Sequence, residues 1–213
     1  MTESATPRIR ILTVDDHPVL REGIAALLEG QKDMILVAEA VNGRDAIEQF
    51  RTHHPDVTLM DLQMPEVNGI DAIVSIRSEF PQARILVLTT YKGDVHAARA
   101  LEAGACGYLL KSALRKDLLD TIRAVHTGRK RIPAEIAMGI AEHHSSDTLT
   151  ARELEVLTLV AAGNANKIVA SQLGVSEETV KGHMKSILGK LNANDRTHAV
   201  TIALKRGILQ LEE

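Results

Sequence analysis

The sequence is poor in the residues that usually announce chemistry. It holds one cysteine, Cys106, so no intrachain disulfide can close and no cysteine-built zinc cluster can form. Tryptophan is absent, and the aromatic residues are Phe50, Phe80, Tyr91 and Tyr108 alone. Bases of a single strand stack on aromatic faces, and four scattered rings do not make such a platform. The longest apolar runs, such as Ile85–Leu88, fall far short of the ~20 residues that span a bilayer. The opening MTESATP lacks the basic-then-apolar order of a secretion signal, so a soluble, cytoplasmic chain without a membrane partner is expected. Neither sign of charge dominates, the net being −3. Thr148–Glu213 carries 8 Lys+Arg against 7 Asp+Glu, which leaves 17 against 21 in the part before it. Contact with nucleic acid would rest on a local patch rather than on an overall field.

What is present is aliphatic. Of 213 residues, 45% are hydrophobic, enough for one large core or two small ones. Ile9–Val14, Met34–Ala40, Asp56–Met60, Arg84–Thr89 and Cys106–Leu110 read as five short strands with little polar interruption, the pattern of strands buried on both faces. Helical stretches separate them. Pro18 suits a first helical turn, Asn42 can cap the stretch that runs to Arg51, and Gly30, Gly104 and Gly128 fall where helices should stop. Five β–α pairs predict a doubly wound, five-stranded parallel sheet of flavodoxin-like type over residues 8–127. The pattern then changes. Residues 128–147 contain Gly128, the basic run Arg129–Arg131, Pro133 and a polar stretch, and read as a linker with helical character in Pro133–Glu142. From 148 to 213 no strand pattern remains, and Ala151–Ala162, Asn166–Leu173, Ser176–Leu191 and Asp195–Lys205 predict an all-α domain of four helices.

Ligands of an open parallel sheet sit beyond the carboxyl ends of its strands. Asp15 and Asp16 end the first strand, Asp61 the third and Thr89 the fourth, and Lys111 follows the fifth. Three converging carboxylates repel one another, which makes a hard cation such as Mg²⁺ the natural occupant. A lysine and a hydroxyl opposite it are placed to hold phosphoryl oxygens. Taken singly each residue has a plainer use, as a helix cap, a surface lysine or a strand former; their coincidence at the strand ends carries the reading. His17, beside the acidic pair, is expected to start a helix rather than bind metal.

This set resembles the receiver domain of bacterial response regulators, in Asp15-Asp16, Asp61 within MDLQMP, Thr89 within LTT, and Tyr108 with Lys111 in GYLLK. The resemblance implies that Asp61 accepts a phosphoryl group from a phosphohistidine donor. It implies Mg²⁺ held by Asp15, Asp16, Asp61 and the backbone carbonyl of Gln63, Lys111 paired with the phosphoryl group, Thr89 moving toward it, and Tyr108 then turning inward.

In the C-terminal part, Asn166–Ser171, Leu173–Val175 and Ser176–Leu191 read as helix, tight turn, helix. Ser176 is a good cap, and Val180, Met184, Ile187, Leu188 and Leu191 form an apolar stripe that leaves Lys181, Gly182, Lys185 and Ser186 on the open face. The segments LTARELEVLTLVAAG, NKIVASQLGVSEETVKGHMKSILGKL and NDRTHAV resemble the LuxR-type DNA-binding domain of NarL/FixJ response regulators. The resemblance makes Ser176–Leu191 the recognition helix for double-stranded DNA, with Thr179 near phosphate and Lys181, Gly182 and Lys185 on the groove. Lys190 is expected to be a phosphate contact or merely solvated, Arg196 a nearby basic contact, and the last helix part of a homodimer interface. Two positions depart from the family pattern: Ile168 stands where an acidic residue is usual, and Gly182 where a side chain often faces a base.

Together these point to a transcription factor, with no catalytic residue, controlled by a sensor histidine kinase through a phosphorylation-linked homodimer, with RNA polymerase a further candidate partner. An aspartate-dependent phosphohydrolase would use similar groups but places its nucleophile in a DxD motif after the first strand, a spacing Asp15-Asp16 lacks. A DNA-binding protein with a degenerate receiver would not keep the complete acidic set.

Overall fold

The structure, a computed structural model, describes residues 7–90, 94–143 and 149–209. Tyr91, residues 144–147 of the expected linker and the boundary residue Thr148 lie outside them. The chain forms two compact units, the first running to Thr90 and again over Ala97–Ala134, the second taking in the chain from Glu135 onward.

In the first unit β1 (Ile9–Val14), β2 (Met34–Ala40), β3 (Val57–Asp61), β4 (Ile85–Thr89) and β5 (Gly107–Leu110) make one parallel sheet in the order β2-β1-β3-β4-β5. The helices are α1 (Pro18–Glu29), α2 (Gly43–His53), α3 (Gly69–Glu79), α4 (Asp94–Glu102, of which this unit takes Ala97 onward) and α5 (Leu114–His126), the last entered through a 3₁₀ turn at Lys111–Ala113. Every residue of β3 and β4 is buried, as continuous apolar runs require when both faces are covered. Ile11, Leu59, Leu86 and Leu88 from the sheet pack with Ile24 and Leu28 of α1 and Leu118, Ile122 and Val125 of α5. Asn42 caps α2 by accepting the Asp45 N–H, and Pro18 opens α1.

The unit does not stop at residue 127 but continues to Ala134. Beyond Gly128, which turns with φ +81°, the chain runs back along β5. Arg131 donates its N–H to Cys106 O at 3.3 Å and accepts the Tyr108 N–H at 2.8 Å. A Cβ on Gly107 would stand 3.2 Å from Arg131 O and 2.9 Å from the Leu86 side chain, so glycine suits this close approach. The first part of the expected linker is thus paired to the sheet, and α6 (Ala134–His143) is its helical part.

The second unit contains α7 (Ala151–Ala161), α8 (Asn166–Leu173), α9 (Glu177–Lys190) and α10 (Arg196–Arg206). Gly174, at φ +65°, makes the tight turn between α8 and α9. Val156, Leu157, Val169, Val180, Met184, Ile187, Ala199 and Ala203 form a core separate from that of the sheet.

Candidate functional site

β1 lies between β2 and β3, so the connections leave it in opposite directions and open a crevice at the strand ends. Asp15, just past β1, still donates its N–H to Ala40 O at 3.1 Å, which fixes the turn that follows. Asp61 ends β3, and the two carboxyl groups are buried side by side. Lys111, beyond β5, reaches across both, its Nζ 2.7 Å from Asp15 Oδ2 and 2.8 Å from Asp61 Oδ2. Burial pushes the Asp61 pKa up; the Lys111 ammonium opposes this, Asp15 adds to it, and the balance lies above the ordinary value. Burial pulls Lys111 down, but its hydrogen bonds to Asp15 and Asp61 outweigh that and leave it raised.

Asp61 Oδ1 accepts the Leu62 N–H at 2.8 Å, and the Gln63 N–H also bonds to this carboxylate. The loop beyond it is held closely. Gly43 donates its N–H to Val67 O at 3.0 Å, and a Cβ on Gly69 would lie 2.0 Å from Asp61 O. Only glycine lets α3 start flush against the acidic residue.

Asp16 Oδ1 is buried yet has no aligned hydrogen-bond donor among the described residues. His17 occupies the N-cap position of α1 as expected, but its ring does not cap the helix. Its Nδ1 instead faces back, 3.1 Å from Asp15 Oδ1 and 2.7 Å from Asp16 Oδ1. One ligand atom each of Asp15, Asp16, His17 and Asp61 falls within 4.8 Å of all the others. Three carboxylates against one ammonium leave a negative pocket of hard oxygen donors, which fits a divalent cation.

Thr89 and Tyr108 are both buried, and their side chains hydrogen-bond. Burial, with the Asp61 charge nearby, outweighs that bond and pushes the phenol up to about 12. Tyr108 is therefore turned inward. The Thr89 bond satisfies its hydroxyl.

In the second unit Ser176 caps α9 by accepting the Thr179 N–H at 3.1 Å, with its Oγ 2.8 Å from Thr179 Oγ1. Val180, Met184, Ile187 and Leu191 are buried, and Lys181, Gly182, Lys185 and Ser186 lie exposed on the opposite face. Lys181 loosely pairs with Glu178 at 3.4 Å. Ile168 is exposed on α8. Arg196 donates to Asn164 O at 2.9 Å. Lys190 is not merely solvated, one of the two roles expected for it. Its Nζ is 2.7 Å from the buried carboxylate of Glu153.

Glu153 is the residue that the sequence reading missed. Its carboxylate accepts the Thr150 N–H at 2.7 Å and the Ser186 hydroxyl at 2.6 Å as well as Lys190, so it ties the start of α7 to α9. The available signal was Thr150-x-x-Glu153, a capping box. Gly69 was missed too, although Asn68-Gly69 is a turn-and-cap signal.

Residues 11–123 match the response regulator receiver domain, and residues 147–203 match the luxR family of bacterial regulatory proteins. The chain belongs to the LuxR/NarL family of response regulators. This response regulator is 40% identical to the uncharacterized transcriptional regulatory protein YxjL of Bacillus subtilis, over 95% of its own length and 98% of the relative's. It is 36% identical to the response regulator VraR of Staphylococcus aureus, over 95% and 99%. Among solved structures it resembles Salmonella RcsB bound to a promoter in the presence of a phosphomimetic, with TM-score 0.71 and 26% identity over 94% of this chain and 99% of that one. The family is a non-enzymatic one of transcription regulators, and the C-terminal unit is its DNA-binding helix-turn-helix. Among the described residues no helix is long and apolar enough to cross a membrane.

Proposed function

We propose that this response regulator is switched by phosphorylation of Asp61 and that phosphorylation favours a homodimer that binds promoter DNA. The observation that carries the reading is Lys111, whose ammonium touches Asp15 and Asp61 together beside a buried, unmatched oxygen of Asp16. In the reaction, an Asp61 carboxylate oxygen bonds to phosphorus as the phosphorus–nitrogen bond of a phosphohistidine on a sensor kinase breaks. Lys111 neutralises phosphoryl oxygens, and Asp15, Asp16, Asp61 and the Gln63 carbonyl would hold Mg²⁺. When bound, Mg²⁺ offsets the charge that gathers on the transferring group. Thr89 gives up its bond to Tyr108 as it turns toward the new oxygens, which ties chemistry in the pocket to the packing of β4 and β5.

In the DNA-bound form α9 enters the major groove, with Lys181 and Lys185 on its open face, Gly182 at closest approach, and Thr179 and Arg196 near phosphate. The protein acts in the cytoplasm, where kinase, promoter and RNA polymerase meet. Support for the DNA-bound state comes from the likeness to RcsB, of which a solved structure holds two dimers bound to two parallel DNAs. Asp61→Asn should abolish the acid-labile adduct formed with a small phosphodonor and Mg²⁺. An undiminished phosphoryl adduct in its intact mass would overturn the assignment.

A further inference from the structure

The ring of His17 stands over the acidic pocket without serving the helix it begins. Its backbone N–H donates to Asp15 Oδ1 at 2.9 Å, which holds the residue in place, and its ring Nδ1 pairs with the same oxygen at 3.1 Å. The ring points Nδ1 into the carboxylate cluster rather than outward, although the side chain is 69% exposed. The 2.7 Å approach to Asp16 Oδ1 lacks hydrogen-bond alignment, so that oxygen faces the nitrogen without sharing its proton.

We propose that His17 becomes a ligand when Zn²⁺ enters this pocket, and that its nitrogen gives the site a preference for Zn²⁺ over Mg²⁺ greater than the carboxylates alone would give. This rests on the reading of the pocket as a cation site. Mg²⁺ is a hard ion that takes oxygen donors and keeps much of its water, so an imidazole adds little to its binding. Zn²⁺ is borderline and takes imidazole and carboxylate together, commonly in fours. Ligand atoms around a tetrahedral zinc ion stand about 3.3–3.6 Å apart when its bonds are about 2.0–2.2 Å. Asp15, Asp16, His17 and Asp61 offer one nitrogen and three oxygens within 4.8 Å, so modest side-chain adjustment brings them to that spacing. Asp15, Asp16 and His17 are consecutive, so the turn after β1 delivers three of the four donors. The open edge of the ring gives the ion a way in.

The test is titration calorimetry on the full chain with Mg²⁺ alone and with Zn²⁺ alone, in wild type, His17→Ala and His17→Asn. Zn²⁺ affinity should fall by about tenfold or more in both variants, while Mg²⁺ affinity stays within about twofold, which also shows that the pocket is folded. Cobalt is a visible stand-in for zinc, and its absorption in the wild-type pocket should shift when His17 is replaced. Unchanged Zn²⁺ affinity, or parallel loss of both ions, overturns the proposal. A wild-type chain that binds no Mg²⁺ overturns the cation pocket itself and the His17 proposal with it. Normal Mg²⁺ binding with no His17-dependent preference overturns the His17 proposal alone.

Discussion

Glu153 keeps only 4% of its surface exposed, yet its carboxyl group stays charged. Burial alone would push it up; Lys190, Ser186 and Thr150 more than offset that and hold it at about 2 against an ordinary 4.5. A carboxyl whose folded value lies below its unfolded one adds stability above the unfolded value and loses it as pH falls toward the folded one. The C-terminal unit should therefore weaken progressively between about pH 4.5 and about pH 2, and Glu153→Gln should flatten that limb in urea titrations at stepped pH. Glu153→Ala should cost about 3 kcal/mol at neutral pH, since it strands the Thr150 N–H and parts Lys190 from a buried partner. Stability equal to wild type at pH 7 would mean that the network contributes nothing.

Helix α9 carries two glycines that no close contact demands, because a Cβ at Gly182 or Gly189 would meet nothing within 4 Å. Gly182→Ala should stabilise the C-terminal unit by about 1 kcal/mol, read from its denaturation midpoint. If the same variant binds promoter DNA more weakly, the bare backbone at Gly182 lies against the groove. Lys185 has no ion pair among the described residues and sits one turn beyond Lys181 on the open face. Lys185→Ala should cost about 1–3 kcal/mol at one base position and relax preference there. A uniform loss across single-base variants, with only a lower salt slope, would make it a phosphate contact instead. The elements themselves were legible in the sequence. β1 and β2 fall where their aliphatic runs predict them, and β3 starts one residue later than expected because Asp56 turns its carboxylate to the Arg10 N–H. The pocket was legible because its chemistry sits at strand ends, where topology alone brings residues together. Partnerships across the fold were not. Lys190 reads as any surface lysine until α7 packs beside α9, and neither the direction of the His17 ring nor the closed Tyr108–Thr89 bond leaves a periodic trace.

At the scale of the whole molecule, each unit has its own core, one built on the sheet and one among four helices. A fragment of residues 148–213 should then unfold cooperatively by itself and bind promoter DNA without Mg²⁺ or phosphodonor. Non-cooperative melting of that fragment would show that its core needs the rest of the chain. Cutting the other half is less forgiving, because β5 has only β4 as a sheet partner on its inner side. On its outer side the backbone of Arg131 occupies the Cys106 carbonyl and the Tyr108 amide. A bare parallel edge of buried, aliphatic strand is a template for other chains, and here the protein covers that template with a few residues of its own connector. The same short stretch that leads away from the sheet thereby guards it against clumping, and a receiver piece ended at 127 would leave that edge sticky.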